Sequence, residues 1–156
     1  MHLPDAAATE RLGAALAPAL APGLRIYLRG DIGSGKTTLV RALLRAAGVE
    51  GRIKSPSYAL VELYVISRLH LYHFDYYRFR DPTEWSDAGF EEYFAGDSVC
   101  LVEWPERAGD RLPEADLEVV LTLADAGRGA RLSAHSRAGA TCLKVASDLK
   151  LQKGYS

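Results

Sequence analysis

The segment Gly30-Asp31-Ile32-Gly33-Ser34-Gly35-Lys36-Thr37 constrains this chain more than any other stretch. It reads as a glycine, four residues, then Gly-Lys and a hydroxyl residue. It stands between two runs of different period. Leu24 to Arg29 is rich in large apolar residues and predicts a short strand. Lys36 to Ala47 predicts a helix, with Val40, Leu43, Leu44 and Ala47 facing inward and Gly48 ending it. Glycines at 30, 33 and 35 let the backbone curl so that successive N–H groups point into one concavity, and the following helix adds its positive dipole end. Such a loop cradles phosphates. On this reading Gly33, Ser34 and Gly35 wrap a nucleotide's phosphates, and Lys36 supplies a mobile cation to the β- and γ-phosphates. Thr37 offers its hydroxyl to Mg²⁺, and Thr38 a further hydroxyl near the α-phosphate. The expected ligands are ATP and Mg²⁺.

The rest of the chain decides what surrounds that loop. Thr9-Glu10-Arg11-Leu12 looks like a helix start with Thr9 as its cap, and Pro18 ends or kinks the helix. Tyr58 to Ile66 and Leu69 to Phe74 are extended runs separated only by Ser67-Arg68, which predicts a tight antiparallel hairpin. Asp81-Pro82-Thr83-Glu84 opens another helix, with Trp85, Ala88 and Phe90 packed beneath it and Tyr93 and Phe94 continuing the cluster. Val99 to Val102 is too short for a helix and reads as a strand buried on both faces. Leu117 to Leu123 and Ala130 to His135 form a second hairpin around Asp125-Ala126-Gly127. The expected architecture is α/β, a P-loop NTPase-like three-layer fold whose mixed sheet is parallel in the centre and antiparallel at the edge. All 156 residues fit one domain, with a core at about 9–135 and a frayed end from about Lys150.

Composition narrows the class. Apolar residues make up 48% and charged residues 25%, ordinary for a globular protein, and no apolar run approaches the roughly 18 residues of a membrane span. The N-terminus lacks the basic residues of a signal peptide, so a cytoplasmic location is expected. Cys100 and Cys142 have no metal-ligand spacing, and Cys100 lies within an apolar run as a small buried hydrophobe. A net charge of −1 does not demand a nucleic-acid face, so any RNA is expected to be held by a partner.

A P-loop needs an acidic group at the end of a neighbouring strand to organise Mg²⁺. Glu103 directly follows the buried strand, and ligands of open α/β sheets sit at strand carboxyl ends, which makes it the first candidate. Asp75, after His73-Phe74, is the second, with a turn-forming aspartate as its alternative. His73 reads as a packed strand residue rather than a base, and Arg78 and Arg80, which could neutralise developing phosphate charge, read first as exposed arginines. Ser55-Pro56-Ser57 lies after the P-loop helix, where a switch segment would sit; either hydroxyl there, Ser57 included, could sense the γ-phosphate or position water, though by chemistry alone this is a loop with a helpful hydroxyl and no more.

Taken together, GDIGSGKTT at 30–38, KSPSYALVELY at 54–64, HFDYYRF at 73–79 and LVEWPER at 101–107 resemble the TsaE (YjeE) family, in order and spacing over roughly residues 9–135. The resemblance implies the small ATPase of bacterial tRNA threonylcarbamoyladenosine synthesis, which works with two larger partners, TsaB- and TsaD-like proteins. The TsaD-like partner transfers the threonylcarbamoyl group to N6 of adenosine 37 in tRNAs reading codons that begin with A. The TsaE-like member supports turnover, and tRNA reaches it indirectly through the complex. The resemblance makes Glu103 and Asp75 metal-site and catalytic residues beside Lys36, places Trp104 near the nucleotide, and puts Thr9 and Arg128 near its base. Ser57 departs from the family's usual threonine. Beyond about Arg137 the resemblance is weak.

Three rival readings have sequence consequences. A regulatory GTPase needs an Asn-Lys-x-Asp motif, and this sequence contains no asparagine. A small-molecule kinase needs a second pocket and an arginine-bearing lid, for which 156 residues leave little room, though Arg78, Arg80 and Arg107 keep it open. A nucleotide-dependent binding module with incidental hydrolysis needs the same loop as an ATPase.

Overall fold

The computed structural model describes residues 1–153. Its strands are β1 (His2–Leu3), β2 (Arg25–Arg29), β3 (Val61–Ile66), β4 (Leu69–Asp75), β5 (Val99–Glu103), β6 (Leu117–Leu123) and β7 (Arg128–Ala134). Its α-helices are α1 (Ala6–Leu16), α2 (Lys36–Ala47), α3 (Thr83–Asp87), α4 (Glu91–Phe94) and α5 (Arg137–Lys153). The strands form one sheet in the order β1-β7-β6-β2-β5-β4-β3. The four central strands β6, β2, β5 and β4 run parallel, while β3, β7 and β1 join antiparallel at the two edges. The mixed sheet expected from the sequence is the one observed.

Side chains alternate across each strand, so the two sheet faces can be read residue by residue. Ile26, Leu28, Leu71, Val99, Leu101, Leu117, Val119 and Leu121 face one side, where Leu12 and Leu16 of α1, Leu39, Val40, Leu43 and Leu44 of α2, and Cys142 and Ala146 of α5 cover them. Tyr27, Phe74, Cys100 and Val102 face the other side and meet Tyr76, Phe79, Trp85, Phe90 and Phe94. The molecule thus has three layers: long helices, sheet, and an aromatic layer built on the short helices α3 and α4.

Most expected elements are present, and the exceptions have identifiable causes. Asp5, not Thr9, caps α1: its carboxylate accepts the Ala8 N–H at 2.8 Å, and Thr9 lies buried inside the helix. The run Ala6-Ala7-Ala8 carries no large apolar residue, so the periodic signal begins one turn late. Helix α1 stops at Leu16 and a short 3₁₀ turn, Ala17–Ala19, contains Pro18. Helix α2 spans Lys36–Ala47 with Gly48 at φ 114° as its C-cap, as expected. Ala88 is exposed rather than packed. Helix α5 has no counterpart among the elements expected from the sequence. It packs on β7 and α1, and Gly139 makes that possible, since a Cβ there would come within 1.8 Å of the Asp116 carbonyl oxygen. The frayed end expected from about Lys150 falls on the last turn of α5 and on residues 154–156, which lie outside the described residues.

Candidate nucleotide and metal site

The P-loop connects the end of β2 to the start of α2 at the centre of the sheet, flanked by the carboxyl ends of β5 and β6. Gly30 and Gly35 adopt φ 149° and 106°, conformations that side chains disfavour. A Cβ on Gly30 would also come within 2.4 Å of the Leu121 carbonyl oxygen and 2.5 Å of Ser34 Oγ. The loop is therefore held tightly against the sheet.

Lys36, at the first turn of α2, is buried. Its ammonium donates to the carbonyls of Gly30 and, at 3.0 Å, Asp31, and lies 4.2 Å from the centroid of the Trp104 ring. Burial lowers its pKa from the ordinary lysine value, while Glu103, Glu106 and Asp75 pull it back. Trp104 reaches this position because it sits at φ 58° and ψ 48°, in the left-handed region, where β5 turns into the next segment. A bulky residue held there is a strained backbone maintained by its surroundings.

The acidic residues arrive by sheet register. On β4 and β5 the aliphatic stripe Leu71, Val99 and Leu101 faces α2, and the next positions on that same face are His73, Asp75 and Glu103. Asp75 and Glu103 are register partners at the carboxyl ends of adjacent parallel strands. Glu103 is only 2% exposed; its Oε1 accepts the Thr37 hydroxyl at 2.9 Å, and its Oε2 lies 2.6 Å from His73 Nε2. Asp75 is 7% exposed and its Oδ1 accepts the Tyr77 N–H at 2.9 Å. Burial raises the Asp75 pKa; the Tyr77 N–H opposes that rise and the neighbouring Glu103 adds to it.

Two carboxylates side by side in a half-desolvated cleft invite a cation. Thr37 Oγ1, Glu103 and Asp75 offer hard oxygen donors of the kind Mg²⁺ takes alongside phosphate oxygens and water. Among the described residues no cluster of three or more His, Cys, Asp or Glu could enclose a metal alone. A cation here would be held jointly with the phosphates.

Two hollows meet at the loop. One, about 410 Å³, is lined by Gly33, Gly35, Lys36, Thr37, Thr38, Ser57, Asp75, Glu103 and Trp104, with Ile32, Tyr77 and Arg78 at its rim. The other, about 320 Å³, is lined by Pro4, Asp5, Ala6, Thr9, Gly33, Gly35, Thr38, Gly127 and Arg128. The Arg128 guanidinium donates to Gly33 O at 2.9 Å, which fixes the P-loop to the β6–β7 hairpin. The two adjoining hollows give the site two compartments, one beside the carboxylates and one beside the β6–β7 hairpin. A third hollow, about 790 Å³, lies along the outside of α1 and α2 and lacks both the glycine loop and the carboxylates.

Twelve of the residues expected at the site are Thr9, Gly33, Ser34, Gly35, Lys36, Thr37, Thr38, Ser57, Asp75, Glu103, Trp104 and Arg128. All but Ser34 line one of the two hollows. The Ser34 side chain is fully buried, and its Oγ has no partner among the described residues. Ser57 Oγ lies 2.6 Å from Ser55 Oγ, so the two hydroxyls act as a pair. Three residues that are not among those twelve also border the site. His73 is the packed strand residue expected, and its Nε2 also lies 2.6 Å from Glu103 Oε2. The Tyr77 ring lies 5.0 Å from that of Trp104, tilted by 51°, and Arg78 lines the cleft while lying 4.0 Å from the Tyr58 ring. The alternation that puts His73 on the face of Asp75 is present in the sequence; the positions of Tyr77 and Arg78, beyond the strand end, are not.

A family model described as "Threonylcarbamoyl adenosine biosynthesis protein TsaE" matches residues 3–131. A Haemophilus influenzae protein named tRNA threonylcarbamoyladenosine biosynthesis protein TsaE is 40% identical over 152 residues, covering 94% of this chain and 96% of its own. A protein of the same name from Treponema pallidum is 36% identical over 121 residues, covering 77% of this chain and 89% of its own. The crystal structure of Bacillus subtilis YdiB superposes with a TM-score of 0.77 at 28% identity, over 92% of this chain and 90% of that one.

Proposed function

The chain belongs to the TsaE family, and from that premise we propose that it is a Mg²⁺-dependent ATPase that supports threonylcarbamoyladenosine formation on tRNA. Its involvement in threonylcarbamoyladenosine biosynthesis follows from the family; the chemistry of the step is our reading of the site. The observation that carries it is the bond from the Thr37 hydroxyl to Glu103, with Asp75 opposite Glu103 and Lys36 one residue before Thr37. That set supplies a phosphate-facing cation and a hard-oxygen metal site within one cleft.

Each residue then has a role. The loop amides and Lys36 bind and orient the phosphates, and Lys36 faces charge that develops on the γ-phosphate. Thr37, Glu103 and Asp75 would hold Mg²⁺, which neutralises phosphate charge when bound. Asp75 and Ser57 line the same cleft, with Ser55 hydrogen-bonded to Ser57, and on this reading they orient a water for attack on the γ-phosphate. Thr9 and Arg128 shape the adjoining pocket for the nucleoside. The rim at Ile32, Tyr77 and Arg78 is open, so closure by TsaB- and TsaD-like partners is expected to complete the geometry, and tRNA is engaged through that assembly.

The test is ATP hydrolysis and tRNA modification by the whole chain, with and without Mg²⁺, TsaB- and TsaD-like proteins and substrate tRNA. Hydrolysis that requires Mg²⁺ and Lys36 and rises with the partners is the expected result. Partner-independent phosphorylation of a small molecule would make this a kinase instead.

A further inference from the structure

We infer that His73 is a positioning residue: through its Nε2–H it fixes Glu103 in the orientation that receives the divalent cation, an inference that rests on the reading of the site above.

His73 is fully buried and its Nε2 lies 2.6 Å from Glu103 Oε2, while Nδ1 has no partner among the described residues. One protonation state of the ring suits this arrangement best. With the proton on Nε2, His73 donates to the carboxylate and leaves only an acceptor lone pair unmet at Nδ1. A proton on Nδ1 would leave a buried N–H donor without a partner, the rarer and costlier defect in proteins. The imidazole therefore donates from Nε2 to Glu103 in this position. It directs one carboxylate oxygen from inside the sheet.

The strand geometry explains why the contact is made from β4. His73 and Asp75 share a face of that strand, and Glu103 ends the neighbouring parallel strand on the same face. Asp75 is paired in register with Glu103 and pushes against it as a like charge. His73, one step further into the sheet, pulls the other way. Glu103 is thus held at both oxygens, by Thr37 at Oε1 and by His73 at Oε2. Thr37 is itself a prospective metal group and must turn toward a cation to serve it. His73 has no such second task, so it is the partner that remains.

The test uses the full chain and two readouts. One is the Mg²⁺ concentration that half-saturates ATP binding, followed by the fluorescence of Trp104 or by calorimetry; the other is hydrolysis. Replacing His73 by Leu removes the donor, and His73→Asn leaves a polar group too short to reach Glu103. His73→Gln keeps an N–H near the position of Nε2. We expect the half-saturating Mg²⁺ concentration to rise by ~10-fold or more in His73→Leu and His73→Asn, the range seen for partners of metal ligands. Affinity for ATP without Mg²⁺ should stay as in the unaltered chain, and His73→Gln should recover to within about threefold. Circular dichroism checks that each variant folds, and His73→Asn decides the matter if His73→Leu does not. Unchanged Mg²⁺ dependence in folded His73→Asn would overturn the inference. So would a His73→Gln variant as impaired as His73→Leu, because packing rather than the donated bond would then be at issue. If the unaltered chain binds ATP no differently from Lys36→Ala, the nucleotide reading itself has failed and this inference falls with it.

Discussion

The two faces of the sheet solve the same burial problem with different materials. On one face, Leu, Ile and Val side chains of the strands meet three long helices whose apolar positions recur with helical period. On the other, Phe74, Tyr76, Phe79, Trp85, Phe90 and Phe94 pack ring on ring, with helices only five and four residues long to carry them. Phe74 alone lies 5.2–5.8 Å from the rings of Phe94, Phe90, Tyr76 and Tyr93. The aliphatic face is stabilised by repeated secondary structure, and the aromatic face by a few large side chains in fixed geometry. The consequence is functional. The helical face supplies α2 and its P-loop, whereas the aromatic cluster anchors the stretch after β4 that carries Tyr77 and Arg78 to the cleft.

The largest expected difference comes from cutting one side chain on each face. Phe74→Ala should cost about 3–5 kcal/mol and Leu43→Ala about 2–5 kcal/mol, read from chemical denaturation. Both are fully buried, so stability alone will not separate them. Nucleotide binding will: in the folded fraction Phe74→Ala should weaken Mg²⁺-dependent ATP binding, because it loosens Asp75, while Leu43→Ala should leave it intact. Equal losses in both variants would show that the faces do not divide labour this way.

A smaller effect probes the polar content of the aromatic layer. The Trp85 indole N–H donates to the Tyr76 hydroxyl at 3.0 Å, and both are buried. Trp85→Phe strands that hydroxyl and should cost roughly 1–3 kcal/mol, the usual penalty for an unmatched buried polar group. A neutral result would mean that shape alone sustains this face. On the helical face, Gly48→Ala forces a side chain into φ 114° at the end of α2 and should cost about 1–2 kcal/mol.

The smallest perturbation uses the native thiols, one on each face. Burial pushes the Cys100 thiol up to about 12 and the Cys142 thiol up to about 11, so both are inert while covered. Cys100 lies on a central strand and Cys142 on the outer helix α5. Under native conditions Cys142 should label first, through local opening of α5, and Cys100 only with global unfolding. Identical labelling rates would mean the two faces open as one unit.

The same contrast separates what is legible in the sequence from what is not. The P-loop, α2 and both hairpins are readable because glycine placement and strict periods of 2 and 3.6 are local signals. Glu103 is readable because a carboxylate directly after four buried apolar residues stands at a strand end, where open α/β sheets bind their ligands. Helix α5 is hidden by its small residues, and the cap at Asp5 by the alanines that follow it. His73 is hidden by a different cause. Its role depends on β4 lying parallel to β5 in one particular register, which no local pattern specifies. The aromatic layer is visible as a cluster, but the turn that carries Tyr77 and Arg78 to the cleft is fixed only by packing.

The most direct test is equilibrium binding of ATP to the whole chain, with and without Mg²⁺, in the unaltered protein and in Lys36→Ala. Binding is expected to be strengthened by Mg²⁺ and weakened by roughly 10–100-fold in Lys36→Ala, the loss typical of charge-assisted phosphate contacts. Affinity that is indifferent to both Mg²⁺ and Lys36 would contradict that expectation.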